Sequence, residues 1–192
     1  MPAPAAGKLI IISGPSGAGK STLVRRLFAD PPGPLETSIS ATTRAPRQGE
    51  VEGVDYYFLT PDEFARRRAA GEFLECFEVY EGGHWYGTLQ SEVAPRLAAG
   101  KWVVLEIDVQ GTLAVLERYP DAVTIFVQPE SMAELERRLR ARGTEAESSI
   151  QRRLEGARRE LPFAPRYRYQ VTNTELDQAL RDLRTILAGQ AN

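Results

Sequence analysis

Leu9-Ile10-Ile11-Ile12-Ser13-Gly14-Pro15-Ser16-Gly17-Ala18-Gly19-Lys20-Ser21-Thr22 decides the fold of this chain. The run Leu9 to Ile12 is apolar and mostly β-branched, the composition of a strand buried on both faces. Gly14 to Ser21 then fits G-x-x-x-x-G-K-[ST]. Glycines let the backbone curl so that several N–H groups point at one anion. After it, Leu23, Leu27 and Phe28 fall on one side of a helix over about Ser21 to Phe28, which Asp30-Pro31-Pro32-Gly33-Pro34 stops. The start of that helix presents its positive end to the same anion. Lys20 adds a mobile charge for outer phosphates, and the Ser21 hydroxyl can ligand Mg²⁺. With this chain's composition, a chance match anywhere has a probability of about 0.2%. The stretch therefore reads as a cradle for the phosphates of ATP or GTP with Mg²⁺.

Working outward, Trp102 to Ile107, Val123 to Val127 and Tyr169 to Val171 read as further core strands. Ser131 to Ala141 is a helix opened by the capping box Ser131-x-x-Glu134, and Glu145 to Glu160 is a very polar one. Thr174-x-x-Asp177 is expected to cap a terminal helix that places Leu176, Leu180, Leu183 and Leu187 in the core. Strands alternating with helices imply an α/β fold with a parallel sheet covered on both faces. Glu36 to Gly87 differs: short aromatic runs lie between turn signals, with one helical piece near Pro61 to Ala70, as in a small inserted lobe of mixed or antiparallel strands.

Composition excludes several classes of function. The 192 residues carry a net charge of -2, which argues against a non-specific nucleic-acid coat. Of 24 basic residues only Lys8, Lys20 and Lys101 are lysines. One cysteine, Cys76, rules out a disulfide framework and a thiolate zinc cluster; it reads as a small apolar group. No run approaches the ~18 apolar residues of a membrane span, and residues 1–7 read as a flexible leader, so a cytoplasmic protein is expected. Arg66-Arg67-Arg68 reads as a solvated helix face, and His84 as a loop residue without a catalytic role.

About 20 residues past the cradle stands Ser38-Ile39-Ser40-Ala41-Thr42-Thr43-Arg44-Ala45-Pro46-Arg47-Gln48-Gly49-Glu50. Arg44 and Arg47, with Pro46 fixing the path between them, form a cationic pair suited to grip a phosphate. Tyr56 and Tyr86 can add phenolic donors. Glu75 and Asp108 are isolated acids in apolar surroundings; taken singly, each could equally be a salt-bridge partner.

These segments resemble the guanylate kinases. Besides the cradle and Ser40 to Glu50, the likeness rests on Gly53-Val54-Asp55-Tyr56-Tyr57-Phe58, Gly71-Glu72-Phe73-Leu74-Glu75 and Tyr86-Gly87-Thr88. It extends to Ile107-Asp108-Val109-Gln110-Gly111 and Arg138 to Glu145. The resemblance implies a phosphate-loop core over residues 8–36, 92–141 and 160–192, a GMP-binding lobe over 37–91 and a helical lid over 142–159. It implies phosphoryl transfer from MgATP to GMP, and to dGMP, giving ADP and GDP. Residues Gly14 to Thr22, with Arg138 and Asn173, would bind ATP. Ser40, Glu75, Thr88 and Asp108 would read the guanine, while Arg44, Arg47, Tyr56 and Tyr86 would hold its phosphate. Lys20, Arg44, Arg142 and Arg153 would carry the catalysis. Ser21 and, through water, Glu106 would hold Mg²⁺; many members have Asp where this chain has Glu106. Partners would be ATP and GMP or dGMP, with no nucleic acid or membrane, in a monomer or a homodimer.

Chemistry supports the guanine assignment. Guanine presents N1–H and an N2 amine, both donors, and a carboxylate is an acceptor-only group. Adenine turns a bare lone pair at N1 toward the same carboxylate. A phosphate oxygen already ionised at neutral pH needs no general base, so catalysis would be alignment and charge neutralisation. Two rivals remain: a non-catalytic interaction domain of this fold, and a kinase with another small acceptor. Lys20, Ser21, Arg142 and Arg153 speak against the first, and the set Ser40, Glu75, Thr88 and Asp108 against the second.

Overall fold

A computed structural model describes residues 7–79, 83–141 and 146–190. In chain order it has β1 (Lys8–Ser13), α1 (Lys20–Ala29), β2 (Leu35–Thr37), β3 (Ser40–Thr42), β4 (Tyr57–Phe58) and α2 (Pro61–Ala69). There follow β5 (Phe73–Val79), β6 (His84–Leu89), α3 (Gln90–Ala98), β7 (Trp102–Glu106), α4 (Val109–Arg118) and β8 (Val123–Gln128). The chain continues with α5 (Met132–Ala141), α6 (Glu147–Glu160), a 3-10 helix (Leu161–Arg166), β9 (Tyr169–Thr172) and α7 (Leu176–Ala188). Two compact units divide it. The first takes Met1–Leu9, Glu36–Leu105 and Gln110–Ala122; the second takes Ile10–Leu35, Glu106–Val109 and Val123–Asn192.

In the second unit β1, β8 and β9 lie side by side in that order, all parallel. Ile10, Ile11, Ile12, Ile125, Phe126 and Val127 are fully buried, which explains why both strands are predominantly apolar. Helix α5 starts as the capping box requires, with the Ser131 hydroxyl accepting the Glu134 N–H at 3.1 Å. Leu135 and Leu139 of α5 pack with Ile150, Leu154 and Ala157 of α6. The expected Thr174 cap is not formed. Helix α7 begins at Leu176, its N-cap is Glu175 with no side-chain bond, and Asp177 instead takes a 2.5 Å hydrogen bond from Arg26. Asp177 thus gains a cation rather than closing a box with Thr174. Leu183 and Leu187 are in the core, while Leu176 and Leu180 are half-buried.

In the first unit β2 neighbours β7, and a separate sheet has the order β4-β3-β6-β5. The latter is mixed: β3 and β4 are parallel, while β6 runs antiparallel to both β3 and β5. Helix α2 is well specified: Thr60 accepts the Glu63 N–H at 3.2 Å, Pro61 stands at its start, and acids lead while arginines end it. Its Phe64 stacks on Phe73 with centroids 4.4 Å apart and joins Ala41 and Leu89 in a small core. Arg66-Arg67-Arg68 is not uniformly solvated. Arg66 and Arg67 grip Glu63, and Arg68 lies 4.3 Å over the Trp85 ring, because α2 packs on the sheet that carries Trp85. Cys76 is half-buried at the edge of the same core, and burial pushes its thiol up from the usual value.

Candidate active site

The glycine loop of the second unit is shaped by close approach. Gly14, Gly17 and Gly19 have φ of 131°, 90° and 95°, values that side chains rarely adopt. A Cβ on Gly14 would stand 2.0 Å from the Val127 carbonyl oxygen, and one on Gly19 only 2.3 Å from Asn173 Nδ2. Gly19 is the N-cap of α1 and offers no side chain to the first N–H groups of the helix. Those groups thus face outward for an anion.

Charged groups gather around this loop. Lys20 Nζ donates to the carbonyls of Gly14 at 2.5 Å and Pro15 at 3.1 Å. Burial lowers its pKa, while Glu106, Glu160 and Asp108 act to raise it. The Ser21 hydroxyl donates to Glu106 Oε1 at 2.6 Å, so the two residues expected at a metal lie together. Arg153 Nη1 donates to the Ser16 hydroxyl at 2.8 Å. Arg138 is held by Glu134 at 2.6 Å and reaches the Asn173 carbonyl at 2.8 Å. The buried Asn173 amide donates to the Ala18 carbonyl at 2.8 Å, bracing the loop from behind. Arg142 lies outside the described residues.

Strand alternation arranges a second group of candidate residues, in the first unit. Thr88 of β6 stands opposite Ser40 of β3 on one side and Glu75 of β5 on the other. These three side chains therefore form a row on one sheet face. The Thr88 hydroxyl donates to Glu75 Oε1 at 2.7 Å, and both residues are buried. Tyr86, two residues along β6, shares that face. Trp85, Gly87 and Leu89 point the other way, into the small core. Gly87 has no alternative there, since a Cβ would stand 2.7 Å from Cys76 Cβ.

Tyr86 leads to the group expected to hold a phosphate. Arg44 Nε donates to its hydroxyl at 3.1 Å, and the Arg44 guanidinium lies 5.5 Å over the Tyr56 ring. Tyr56 and Tyr86 meet edge to face, with centroids 6.0 Å apart. Arg47 differs from Arg44: it is exposed, and its backbone N–H donates to Glu50 Oε2 at 2.7 Å. Asp108 belongs to the second unit, with the phosphate loop, rather than to the unit of Ser40, Glu75 and Thr88.

A family model described as guanylate kinase matches residues 6–190. The chain belongs to the guanylate kinase family. A guanylate kinase of Rhodopirellula baltica is 55% identical over 185 residues, spanning 96% of this chain and 88% of that protein. One of Symbiobacterium thermophilum is 46% identical over 99% of this chain and 89% of its own length. The crystal structure of guanylate kinase from Anaplasma phagocytophilum matches with a TM-score of 0.78 and 31% identity, over 97% of this chain and 87% of that one. The mixed α/β fold, with a parallel central sheet flanked by helices, is thus the guanylate kinase fold.

Two carboxylates in this chain escaped sequence reasoning. Glu92, buried inside α3, accepts the Ile39 N–H at 3.2 Å and the Tyr57 hydroxyl at 2.9 Å, anchoring the approach to Ser40. Glu50 accepts both terminal nitrogens of Arg44 at 2.9 Å each. The turn signal Gln48-Gly49 was its only trace, because that turn is what brings positions six apart together.

Proposed function

We propose that this guanylate kinase family member is an enzyme that transfers the terminal phosphoryl group of ATP to GMP, giving ADP and GDP, with dGMP as a minor additional acceptor. The observation that carries the acceptor choice is the row of half-buried Ser40 with buried Thr88 and Glu75, beside Arg44 and Tyr86. It presents an acceptor-rich edge next to a cation, which suits guanine next to a phosphate. Asp108 is proposed to add a second acceptor for the base.

The donor half is proposed to use Gly14 to Thr22, with Arg138 and Asn173 at the nucleotide. Lys20, Arg153 and Arg142 neutralise charge on the moving phosphoryl group, while Arg44, Arg47, Tyr56 and Tyr86 hold the acceptor phosphate. The nucleophile is a phosphate oxygen, already ionised, so no side chain has to remove a proton. The hydroxyl of Ser21 and the carboxylate of Glu106 are both hard oxygen donors, fitting Mg²⁺, which takes few protein ligands and keeps its waters. When bound, Mg²⁺ offsets charge on the outer phosphates. No helix among the described residues is long and apolar enough to cross a membrane, and a cytoplasmic location is part of this reading.

The deciding experiment measures ADP release from MgATP with GMP, AMP, CMP or UMP as acceptor. Turnover with GMP far above the others is expected. Equal turnover with AMP would overturn the guanine assignment, and no turnover with any would favour a non-catalytic interaction domain.

A further inference from the structure

Arg44 spends its five N–H groups in an ordered way. Nη1 and Nη2 donate to Glu50 Oε2 and Oε1, each at 2.9 Å. Nη1 donates again to the Ala45 carbonyl at 2.7 Å, and Nε to the Tyr86 hydroxyl at 3.1 Å. The second Nη2 hydrogen meets no protein acceptor among the described residues. A guanidinium has two edges fit for an oxyanion, Nη1/Nη2 and Nε/Nη2. Glu50 fills the first; on the second, Nε holds the Tyr86 hydroxyl and the remaining Nη2 hydrogen lies beside it.

Glu50 is itself held. Its Oε2 accepts the Arg47 N–H at 2.7 Å, and its own N–H donates to the Arg47 carbonyl at 3.1 Å. Gly49, at φ 89°, makes the turn that closes residues 44–50 on themselves. The pair is largely shielded, with side chains 12% and 19% exposed. The Arg44 guanidinium holds the Glu50 carboxyl below the usual carboxylate range.

We propose that Glu50 is a positioning residue for the acceptor phosphate: by holding the Nη1/Nη2 edge of Arg44, it presents the remaining Nη2 hydrogen and the Tyr86 hydroxyl seated on Nε to that phosphate. This rests on the acceptor reading above. The opposite role, a carboxylate plug that the phosphate must expel, fits poorly with the tie to the Arg47 backbone. The two roles differ in sign.

The test uses Glu50→Ala and Glu50→Gln, with the KM for GMP, the KM for ATP and competitive inhibition by guanosine, which lacks the phosphate. Glu50→Ala is expected to raise the KM for GMP about tenfold or more, the scale of losing one charge-assisted contact. The KM for ATP, kcat and guanosine inhibition should stay within about threefold. Glu50→Gln, which keeps one acceptor oxygen, should fall between, and it decides alone if the alanine variant does not fold. An unchanged or lowered KM for GMP overturns the proposal. So does an equal loss of GMP and guanosine, which marks a purely structural role. A wild type that binds GMP no better than guanosine overturns the acceptor reading itself, and does so without any variant.

Discussion

The side-chain amide of Asn173 donates to the Ala18 carbonyl at 2.8 Å and occupies the place where a Cβ on Gly19 would have to stand. One contact across 155 positions thus both braces the phosphate loop and forbids a side chain in it.

Asn173→Ala should loosen the loop without touching the acceptor half. Leaving a buried carbonyl unpaired costs about 1–3 kcal/mol. A lower Tm and a severalfold higher KM for ATP are expected, with the KM for GMP unchanged. Gly19→Ala should do worse, since it adds a strained backbone to the collision. An Asn173→Ala enzyme with wild-type KM for ATP would count against the brace.

Glu75→Gln replaces an acceptor-only group with one that donates on one side. The KM for GMP should rise about ten- to a hundredfold, while the KM for ATP stays put. The Thr88 hydroxyl can still bond the remaining oxygen, so the fold should survive. Equal loss for both nucleotides would make Glu75 structural.

Glu106→Gln keeps an oxygen near Ser21 and removes the charge. The Mg²⁺ concentration giving half-maximal rate should increase, and the rate should recover at high Mg²⁺. Rates that ignore Mg²⁺ in wild type and variant alike would remove the metal role from this pair. Chelation by EDTA should stop turnover of the wild type.

Arg137 and Arg138 hold the Glu134 carboxyl down from 4.5 to about 2. A carboxyl lowered on folding contributes stability that is present above its unfolded value and is lost as pH falls toward the folded one. Wild type should therefore melt slightly above Glu134→Gln at near-neutral pH, and the gap should close between 4.5 and about 2. Arg137 is exposed, so added salt should shrink the gap as well. A gap that widens on acidification would contradict the assignment.

What could be read from the residues followed physical rules of different reach. The loop was legible because an apolar strand, spaced glycines and Lys20-Ser21 constrain one another within a few residues. Buried strands were legible from short β-branched and apolar runs such as Leu9 to Ile12 and Val123 to Val127. The three-residue β2 and the Pro-interrupted α3 lack a long enough pattern to show. The Thr174 cap failed because the Ser/Thr-x-x-acid pattern does not say whether a competing cation, here Arg26, stands within reach. Arg44 was visible as a phosphate grip, yet its partner Glu50 was not, since that pairing depends on how a turn closes.

The alternation along β6 has a consequence for how such a site can vary through time. On the proposed reading, substitution at Tyr86 or Thr88 should alter recognition and leave the packing behind the sheet alone. A single codon gained or lost inside His84–Leu89 would instead turn Trp85 and Gly87 toward the nucleotide and press Tyr86 and Thr88 against Phe64. On that reading, a point change on this face retunes the acceptor, whereas a change in the strand's length disrupts both faces at once.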